Sequence, residues 1–121
     1  MKQKVCVIGD GLTGLAAALI LGHLNVDVDL IAPAIKRKTT DIRTTAISKS
    51  NFRYLINLIG KQHVNYFWPS RKINLYYQDS SDHKQFMNFE DQQESLMYII
   101  PNNKLKSLIK NKIQKKKNIN I

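Results

Sequence analysis

The chain has 121 residues, of which 43% are hydrophobic, so it can build one modest domain with a core and is too short for a two-domain enzyme. Its 19 Lys and Arg outnumber its 9 Asp and Glu, a balance that raises nucleic acid or an anionic membrane as a partner. The excess lies mostly in a helix-like segment and tail near the C-terminus, in a chain rich in Lys, Asn and Ile throughout. We therefore interpret the charge as compositional bias and a solvated face, and expect no nucleic-acid partner.

The single cysteine and the N-terminus indicate the compartment. Cys6 lies in the apolar run VCVIG, which excludes an intrachain disulfide and predicts a small buried side chain in a reducing environment. The N-terminus has a basic start and an apolar run, but Asp10 and the nearby glycines interrupt that run. Neither a signal peptide nor a membrane-spanning helix is expected. The sequence favours a cytoplasmic protein and leaves peripheral membrane association open.

The first predicted elements form a strand, a helix and a second strand. Residues 4–9, KVCVIG, are a short apolar run that predicts a buried parallel strand. Residues 12–24 are rich in Ala and Leu and predict a helix that stops at Asn25. Residues 26–32 predict a second strand, closed by Pro33. A strand–helix–strand sequence of about 30 residues has the size of a βαβ unit.

The middle of the chain predicts a loop, a helix and a hairpin. Residues 32–48 show no sustained period and are interpreted as a connecting loop. Ser48 or Ser50 can cap a helix that ends at Gly60, with Phe52, Leu55, Ile56 and Ile59 at helical spacing. Residues 71–89 predict two strands around an Asp-Ser-Ser-Asp turn.

The C-terminal part predicts a strand, a helix and the start of another strand. Residues 96–101, LMYIIP, are apolar and extended, and Asn102 or Asn103 can cap a last helix. The apolar positions of that helix share one face, with its lysines on the others: Leu105, Leu108, Ile109 and Ile113. Residues 118–121, NINI, are interpreted as the first residues of a further strand.

The spacing G-x-G-x-x-G occurs between the first predicted strand and the first predicted helix, as Gly9, Gly11 and Gly14. In a dinucleotide-binding βαβ unit the first glycine makes the tight turn, the second admits a pyrophosphate and the third lets helix and strand pack closely. The helix N-terminus offers unpaired N–H groups to the anion. This context favours dinucleotide binding over a plain tight turn.

The second predicted strand departs from the usual pattern for ribose recognition. Such folds carry Asp or Glu roughly 20 residues beyond the loop, and Ala32 stands there, while Asp29 belongs inside the strand. Backbone, water or another segment must then bind the ribose. The basic run at 36–38 can receive a 2′-phosphate, which would favour NADP, or can be a solvated loop, which we favour.

No other site chemistry competes with the glycine loop. His23, His63 and His83 lack the spacing of metal ligands, and no nucleophile elbow is visible, so no metal site is expected. The aromatic run at 66–68 beside Pro69 is interpreted as packing rather than as a stacking platform for bases.

Together the glycine loop and the segment DIRTTAISKSNFRYLINLIG at 41–60 resemble the N-terminal part of the FAD-dependent aromatic hydroxylases of ubiquinone biosynthesis. Their pattern is a glycine loop at the extreme N-terminus, then Asp-x-Arg-Thr-Thr-Ala-Ile-Ser and a helix. The segment at 96–113 is similar to their Gly-Tyr-Ile-x-x-Asn-x-x-Leu stretch. The branch resembled is that of the octaprenyl-methoxyphenol hydroxylases, and the resemblance covers nearly all of this chain but about a third of such an enzyme.

The resemblance implies a Rossmann-like α/β fold in which residues 4–32 hold the ADP half of FAD, followed by further helices and a small β-hairpin region. It implies hydroxylation of a prenylated phenol with NAD(P)H and oxygen, possible association with the inner membrane or a ubiquinone-pathway complex, and no assigned acid, base or nucleophile. Gly9, Gly11 and Gly14 would meet the pyrophosphate, and Arg43 would contact FAD through its planar donor fork. The alternative for Arg43 is a structural ion pair, for instance with Asp41.

The same resemblance places an Asn close to the cofactor at Asn102 or Asn103, and helix capping is the alternative for both. The downstream Gly-Asp motifs of the family, which hold the rest of the flavin, are absent from the sequence. Residues 1–121 are therefore expected to be the N-terminal part of an FAD-binding domain, inactive alone. A stand-alone nucleotide-binding or interaction module without turnover is the alternative.

Overall fold

The structure is a computed structural model that describes residues 3–33, 41–80 and 82–121. Over these ranges the chain is a mixed α/β protein with three α-helices, one 3₁₀ helix and strands in three small sheets. In chain order the elements are β1 (Lys4–Ile8), α1 (Leu12–His23), β2 (Asp27–Ile31), β3 (Thr44–Ser48), α2 (Lys49–Ile59), the 3₁₀ helix (Lys61–Tyr66), β4 (Trp68–Ser70), β5 (Lys72–Asp79), β6 (Asp82–Glu90), β7 (Met97–Pro101), α3 (Asn102–Ile113) and β8 (Ile119–Asn120).

The first sheet is parallel and has the strand order β1–β2–β8. Strands β1 and β2 pair over their full length, from Lys4 opposite Asp27 to Ile8 opposite Ile31, with α1 as the connection between them. β8 lies on the other side of β2, where Val28 is opposite Ile119. The predicted strand, helix and second strand are all present, and the segment NINI does contribute a strand.

Helix α1 packs against all three strands of this sheet and against α3. Its Ala- and Leu-rich sequence has a high intrinsic helix propensity, and it is apolar on nearly every side, as expected of a helix with neighbours on several faces. The helix ends at His23, and Asn25 then takes a left-handed conformation with φ of 59°, which asparagine tolerates better than most residues. The predicted end of the helix is confirmed.

The second sheet is antiparallel, with β7 between β3 and β4. Helix α2 packs against β3 and β7. Its N-terminus is capped by Ser48, whose hydroxyl accepts a hydrogen bond from the Asn51 amide at 3.4 Å, and it ends at Gly60 as predicted. Phe52 of α2 stacks on Tyr98 of β7 at 3.7 Å between ring centroids and meets Phe67 edge-on at 5.1 Å.

The third sheet is the hairpin of β5 and β6, which was predicted around the Asp-Ser-Ser-Asp turn. The strands pair from Lys72 opposite Glu90 to Asp79 opposite Asp82, with an irregularity between Leu75 and Tyr76. No described residue of either strand is buried. The hairpin therefore projects from the body and is held mainly by its own hydrogen bonds.

One hydrophobic core joins the parallel sheet, the antiparallel sheet and the three helices. The apolar face predicted for α3 is buried in this core at all four positions. The buried members of the core are Leu15, Ala18, Leu19, Val28, Leu30, Phe52, Ile56, Ile59, Phe67, Ile100, Leu105, Leu108, Ile109, Ile113 and Ile119.

The structure corrects the prediction that β1 and its cysteine are buried. Strand β1 alternates between half-buried and exposed residues, Cys6 is exposed and Ile8 is 82% exposed. Helix α1 covers one face of the parallel sheet, and Cys6 lies on the other face, opposite Asp29 in the register. Successive side chains of a strand point to opposite faces, so an apolar run does not by itself mean that both faces are covered.

Two further predictions are wrong in part. The segment 32–48 was interpreted as a loop, and its residues 34–40 lie outside the described residues. Thr44–Ser48 instead forms β3, because β7 supplies a partner strand distant in sequence. The aromatic run at 66–68 was interpreted as packing, which holds for the buried Phe67, whereas Trp68 is 63% exposed. Trp68 begins β4, where neighbouring residues point to opposite faces.

Candidate functional site

The glycine loop connects β1 to α1, and two of its glycines are required by the backbone. Gly9 has φ of +108°, a conformation that side chains rarely adopt, and its N–H donates to the carbonyl of Ile31 at 2.8 Å. At Gly14 a Cβ would lie 2.1 Å from the carbonyl oxygen of Gly9, so the helix can approach the loop this closely because the residue has no side chain. These two glycines set the shape of the loop.

Gly11 differs from both, because the fold itself does not require a glycine there. Its φ of −67° and ψ of 172° are open to any residue, and a Cβ at this position would meet nothing within 4 Å. Gly11 is the N-cap of α1, and the helix has no side-chain cap. The first N–H groups of α1 and the positive end of its dipole therefore face a space that an anion can enter.

Arg43 is held by Asp41 in a bidentate ion pair. The guanidinium donates through Nε to Oδ1 of Asp41 at 2.8 Å and through Nη2 to Oδ2 at 3.0 Å. The hydrogen bonds from Arg43 hold the pKa of the Asp41 carboxyl well below its usual range. The side chain of Arg43 is 77% exposed. The ion pair named above as the alternative role of Arg43 is present, and a solvent-facing guanidinium can still meet a second anion.

Asn102 lies beside Arg43, so the structure brings together two of the residues that the sequence singled out. The backbone N–H of Asn102 donates to the backbone carbonyl of Arg43 at 2.9 Å. The side-chain Nδ2 of Asn102 donates to Oδ2 of Asp41 at 3.3 Å. The hydroxyl of Thr45 donates to Oδ1 of Asn102. The pairing of β3 with β7 creates this network, because it places Thr44 opposite Pro101 and so brings Arg43, which precedes Thr44, next to Asn102, which follows Pro101.

Helix capping, the other predicted role of Asn102 and Asn103, is wrong for both residues. Pro101 is the N-cap of α3, and no side chain caps this helix. Asn102 is already the first helical residue, so its side chain is free to bind Thr45 and Asp41. Oδ1 of Asn103 accepts from the adjacent Lys104 amide at 2.6 Å, which does not close a helix cap.

A charged cluster beside the glycine loop was missed at the level of sequence. Oδ2 of Asp10 lies 2.9 Å from Nζ of Lys110 and 3.3 Å from Nζ of Lys106. The hydrogen bond from Lys110 lowers the pKa of the Asp10 carboxyl, and Lys106 acts in the same direction. The signal was present, because lysines four residues apart share one face of a helix. The lysines of α3 had instead been assigned to a solvated face.

A polar groove of about 510 Å³ runs along α3 between the Asp10 cluster and the Asp41 network. Its lining residues all carry polar side chains: Asp41, Asn103, Lys106, Ser107, Lys110, Asn111 and Gln114. The two lysines and one aspartate give this lining a net positive charge. The groove therefore offers hydrogen-bond donors and a favourable potential to an anionic, polar ligand.

The end of β2 offers no acid for ribose recognition. Ala32 follows the strand, as the sequence indicated, and Asp29 lies inside β2. There its Oδ2 pairs with Nζ of Lys4 at 2.8 Å on the sheet face opposite the core. The hydrogen bond from Lys4 lowers the pKa of Asp29. The basic run at 36–38, considered above for a 2′-phosphate, lies outside the described residues.

The described residues contain neither a cluster of metal ligands nor a membrane-spanning helix. Across residues 3–33, 41–80 and 82–121, no group of three or more His, Cys, Asp or Glu side chains is placed to hold a metal ion. Over the same ranges, none of the helices has the length and apolar character to cross a membrane.

No protein-family model and no curated protein matches the chain. Among solved structures it is similar to p-nitrophenol 4-monooxygenase PnpA from Pseudomonas putida DLL-E4, with 17% identity, a TM-score of 0.69, and coverage of 100% of this chain and 31% of that one. For 2-methyl-3-hydroxypyridine-5-carboxylic acid oxygenase the identity is 16%, the TM-score 0.72 and the coverage 98% and 31%. For the flavin-dependent monooxygenase PieE, solved with FAD and substrate, the values are 15%, 0.69, and 99% and 23%.

At these identities the likeness shows the fold. The described chain has the α/β fold of part of the monooxygenases to which it is similar, and it spans 31% or less of the length of these three relatives. The general fold expected from the sequence resemblance is supported in this coarse form.

Proposed function

We propose that this chain is the FAD-binding part of a flavin-dependent monooxygenase. The observation that carries the proposal is Gly11, a glycine that the fold does not need, at the uncapped N-terminus of a helix that follows a parallel strand. Such a position serves the approach of a ligand to the backbone. The fold shared with PieE, which was solved with FAD, supports a flavin as that ligand.

The residues at the loop fit the diphosphate of this cofactor. Gly9 and Gly14 would shape the loop, Gly11 would admit the pyrophosphate, and the free N–H groups of α1 would donate to it. Arg43 donates to Asp41 through Nε and Nη2, and its Nη1 group would donate to a phosphate oxygen. Asn102, bonded to the backbone of Arg43, would line the same site. With Ala32 after β2, ribose recognition would come from backbone or another segment.

A bound flavin would supply oxygen chemistry with NAD(P)H as the reductant, and this chain would bind and orient it. We assign no catalytic acid, base or nucleophile. The substrate class is carried by the sequence resemblance at 41–60, which favours a prenylated phenol of ubiquinone biosynthesis. Because a prenyl chain is apolar, the proposal includes peripheral contact of a cytoplasmic protein with the inner membrane or with a complex of the ubiquinone pathway. No nucleic-acid partner is proposed.

A titration of the purified 121-residue chain with FAD tests the proposal. Gly11→Val should weaken FAD binding by at least tenfold, roughly the factor that corresponds to 1.4 kcal/mol. It should lower the thermal midpoint only slightly, since the position has open space and an extended backbone conformation and the only cost is that valine is a poorer N-cap than glycine. NADH should bind more weakly than FAD. Equal FAD affinity of the wild-type chain and Gly11→Val would overturn the assignment of the loop.

A second candidate is a stand-alone nucleotide-binding module without turnover, because the glycine loop and the uncapped N-terminus of α1 would serve a bound nucleotide equally well there. Both candidates predict FAD or ADP binding. Oxygen uptake with FAD, NADH and a prenylated phenol should show no turnover by the chain alone under either candidate. Measurable turnover would contradict both of them, because it would show that this chain carries the complete reaction. Turnover that appears on adding the remainder of a related monooxygenase would favour the first candidate.

A further inference from the structure

Asp10 places a negative charge inside the loop to which the proposed function assigns an anion. It stands between Gly9 and Gly11, one residue before the N-cap of α1. An uncompensated carboxylate there would repel a diphosphate. It would also weaken the attraction that the positive end of the helix dipole exerts on that ligand. The loop can serve an anionic ligand well if this charge is neutralised.

Lys106 and Lys110 meet Asp10 from α3. Their Nζ atoms lie 3.3 and 2.9 Å from Oδ2 of Asp10. They occupy one face of the helix, one turn apart, while the apolar face beside them is buried against the core. Since α3 packs against α1, which begins at the same loop, the lysines are carried to Asp10 by the packing of the two helices.

The cluster is partly shielded from solvent. The side chain of Asp10 is 26% exposed, and those of Lys106 and Lys110 are 38% and 37% exposed. Charges in such surroundings are screened less than a fully exposed pair. One carboxylate with two ammonium groups carries a net charge of one positive unit, and both lysines also line the polar groove along α3.

We propose that Lys106 and Lys110 are positioning residues for a nucleotide diphosphate at the glycine loop, acting through Asp10. They cancel its charge and hold its carboxylate towards α3, so that the loop presents a positive potential to the ligand. This inference rests on the proposed function and deepens it by assigning a determinant of anion affinity on a second helix. The lysines need not touch the ligand, because the charge that they remove is the one inside the loop.

The test compares ADP with adenosine, which has no phosphate, by NMR titration of the 121-residue chain. K106Q/K110Q leaves Asp10 unpaired and changes the cluster from one positive to one negative unit. ADP affinity should fall about tenfold, because two units of charge are lost next to a diphosphate. Adenosine affinity should stay the same. The matched control is K112Q/K115Q, which removes one charge from the last turn of α3 and one just after the helix, and should bind ADP like the wild-type chain.

The variant D10N/K106Q/K110Q separates action through Asp10 from direct contact. With no charge left in the cluster, ADP affinity should return to within about threefold of the wild-type value, because the repulsion inside the loop is gone. Persistent weakness of this variant would show that the lysines bind ADP themselves, and would overturn the proposal. A parallel loss of adenosine affinity in K106Q/K110Q would also overturn it, since that result indicates a structural role.

Failure of the proposed function gives a different pattern. In that case the wild-type chain binds neither ADP nor FAD, and the premise of this inference falls with it. If the wild-type chain binds ADP, and K106Q/K110Q binds it equally well, the proposed function stands and the role of the lysines is refuted.

Discussion

The parallel sheet with its helices and the β5–β6 hairpin show two ways in which this chain forms strands. In the first region a helix covers one face of the strands, and Val28 and Leu30 are buried in a core shared with α1 and α3. In the hairpin no described residue is buried, and Tyr76, Tyr77 and Phe86 are each about 60% exposed. The strands pair along their length in both regions, apart from the irregularity between Leu75 and Tyr76 in the hairpin, so the burial of apolar surface is the main difference between them.

This difference indicates which region contributes most to the free energy of unfolding. Burial of apolar side chains is the dominant favourable contribution to folding, whereas a two-stranded hairpin alone is marginal in water. The region with the glycine loop should therefore unfold cooperatively with the core. The hairpin should open at a lower free-energy cost and with little effect on the loop.

The largest effect is expected from a substitution that opens the shared core. Ile113 is fully buried at the end of α3, and Ile113→Ala should lower the free energy of unfolding by about 2–5 kcal/mol. Phe86→Ala in the hairpin removes a larger side chain that is 61% exposed, and should change it by about 0.5 kcal/mol or less. Urea unfolding followed by circular dichroism measures both. Equal effects of the two substitutions would contradict the assignment of stability to the core region.

A smaller effect is expected at the glycine loop, where two glycines provide a matched pair. Gly14→Ala would place a Cβ 2.1 Å from the Gly9 carbonyl oxygen and should cost about 1–3 kcal/mol, because the helix and loop must move apart. Gly11→Ala adds the same methyl group in open space and should leave stability nearly unchanged. Thermal unfolding of the two variants makes the comparison. A stable Gly14→Ala would show that the loop is not closely packed on α1.

Much of this arrangement could be predicted from the sequence, because local chemistry determines it. The apolar face of α3, the Ser48 cap and the strand at the end of the chain depend on residues within a few positions of each other. The elements missed depend on distant partners. Strand β3 exists because β7 pairs with it, and Cys6 is exposed because a helix covers one face of its sheet.

The candidate site shows the same division. The three glycines follow from spacing within one loop, and their proximity to α1 was expected. The connection of Arg43 to Asn102 through Asp41, and that of Asp10 to Lys106 and Lys110, join residues far apart in sequence. Spacing gives the faces of each helix, but the packing of α3 against α1 decides which face meets the loop.

The smallest effect is expected from pH. The pKa of Asp10, paired with Lys110, is lowered in the folded chain, so the pair stabilises the fold fully above the ordinary Asp pKa of about 3.9. This contribution is lost as the pH falls through the lower folded value. Thermal midpoints measured from about pH 6 to about pH 2 should fall less steeply for Asp10→Asn than for the wild-type chain. Gln78→Ala in the exposed hairpin strand β5, which changes no titratable group, serves as the control. Identical slopes for Asp10→Asn and the wild-type chain would contradict the effect of the ion pair.

The most direct test of the central claim is a map of amide chemical-shift changes on addition of FAD to the 121-residue chain. The account predicts that the changes are concentrated at residues 9–14, at Arg43 and at Asn102, and that the amides of the β5–β6 hairpin are unaffected. Changes concentrated in the hairpin, or no changes at the glycine loop at saturating FAD, would contradict it.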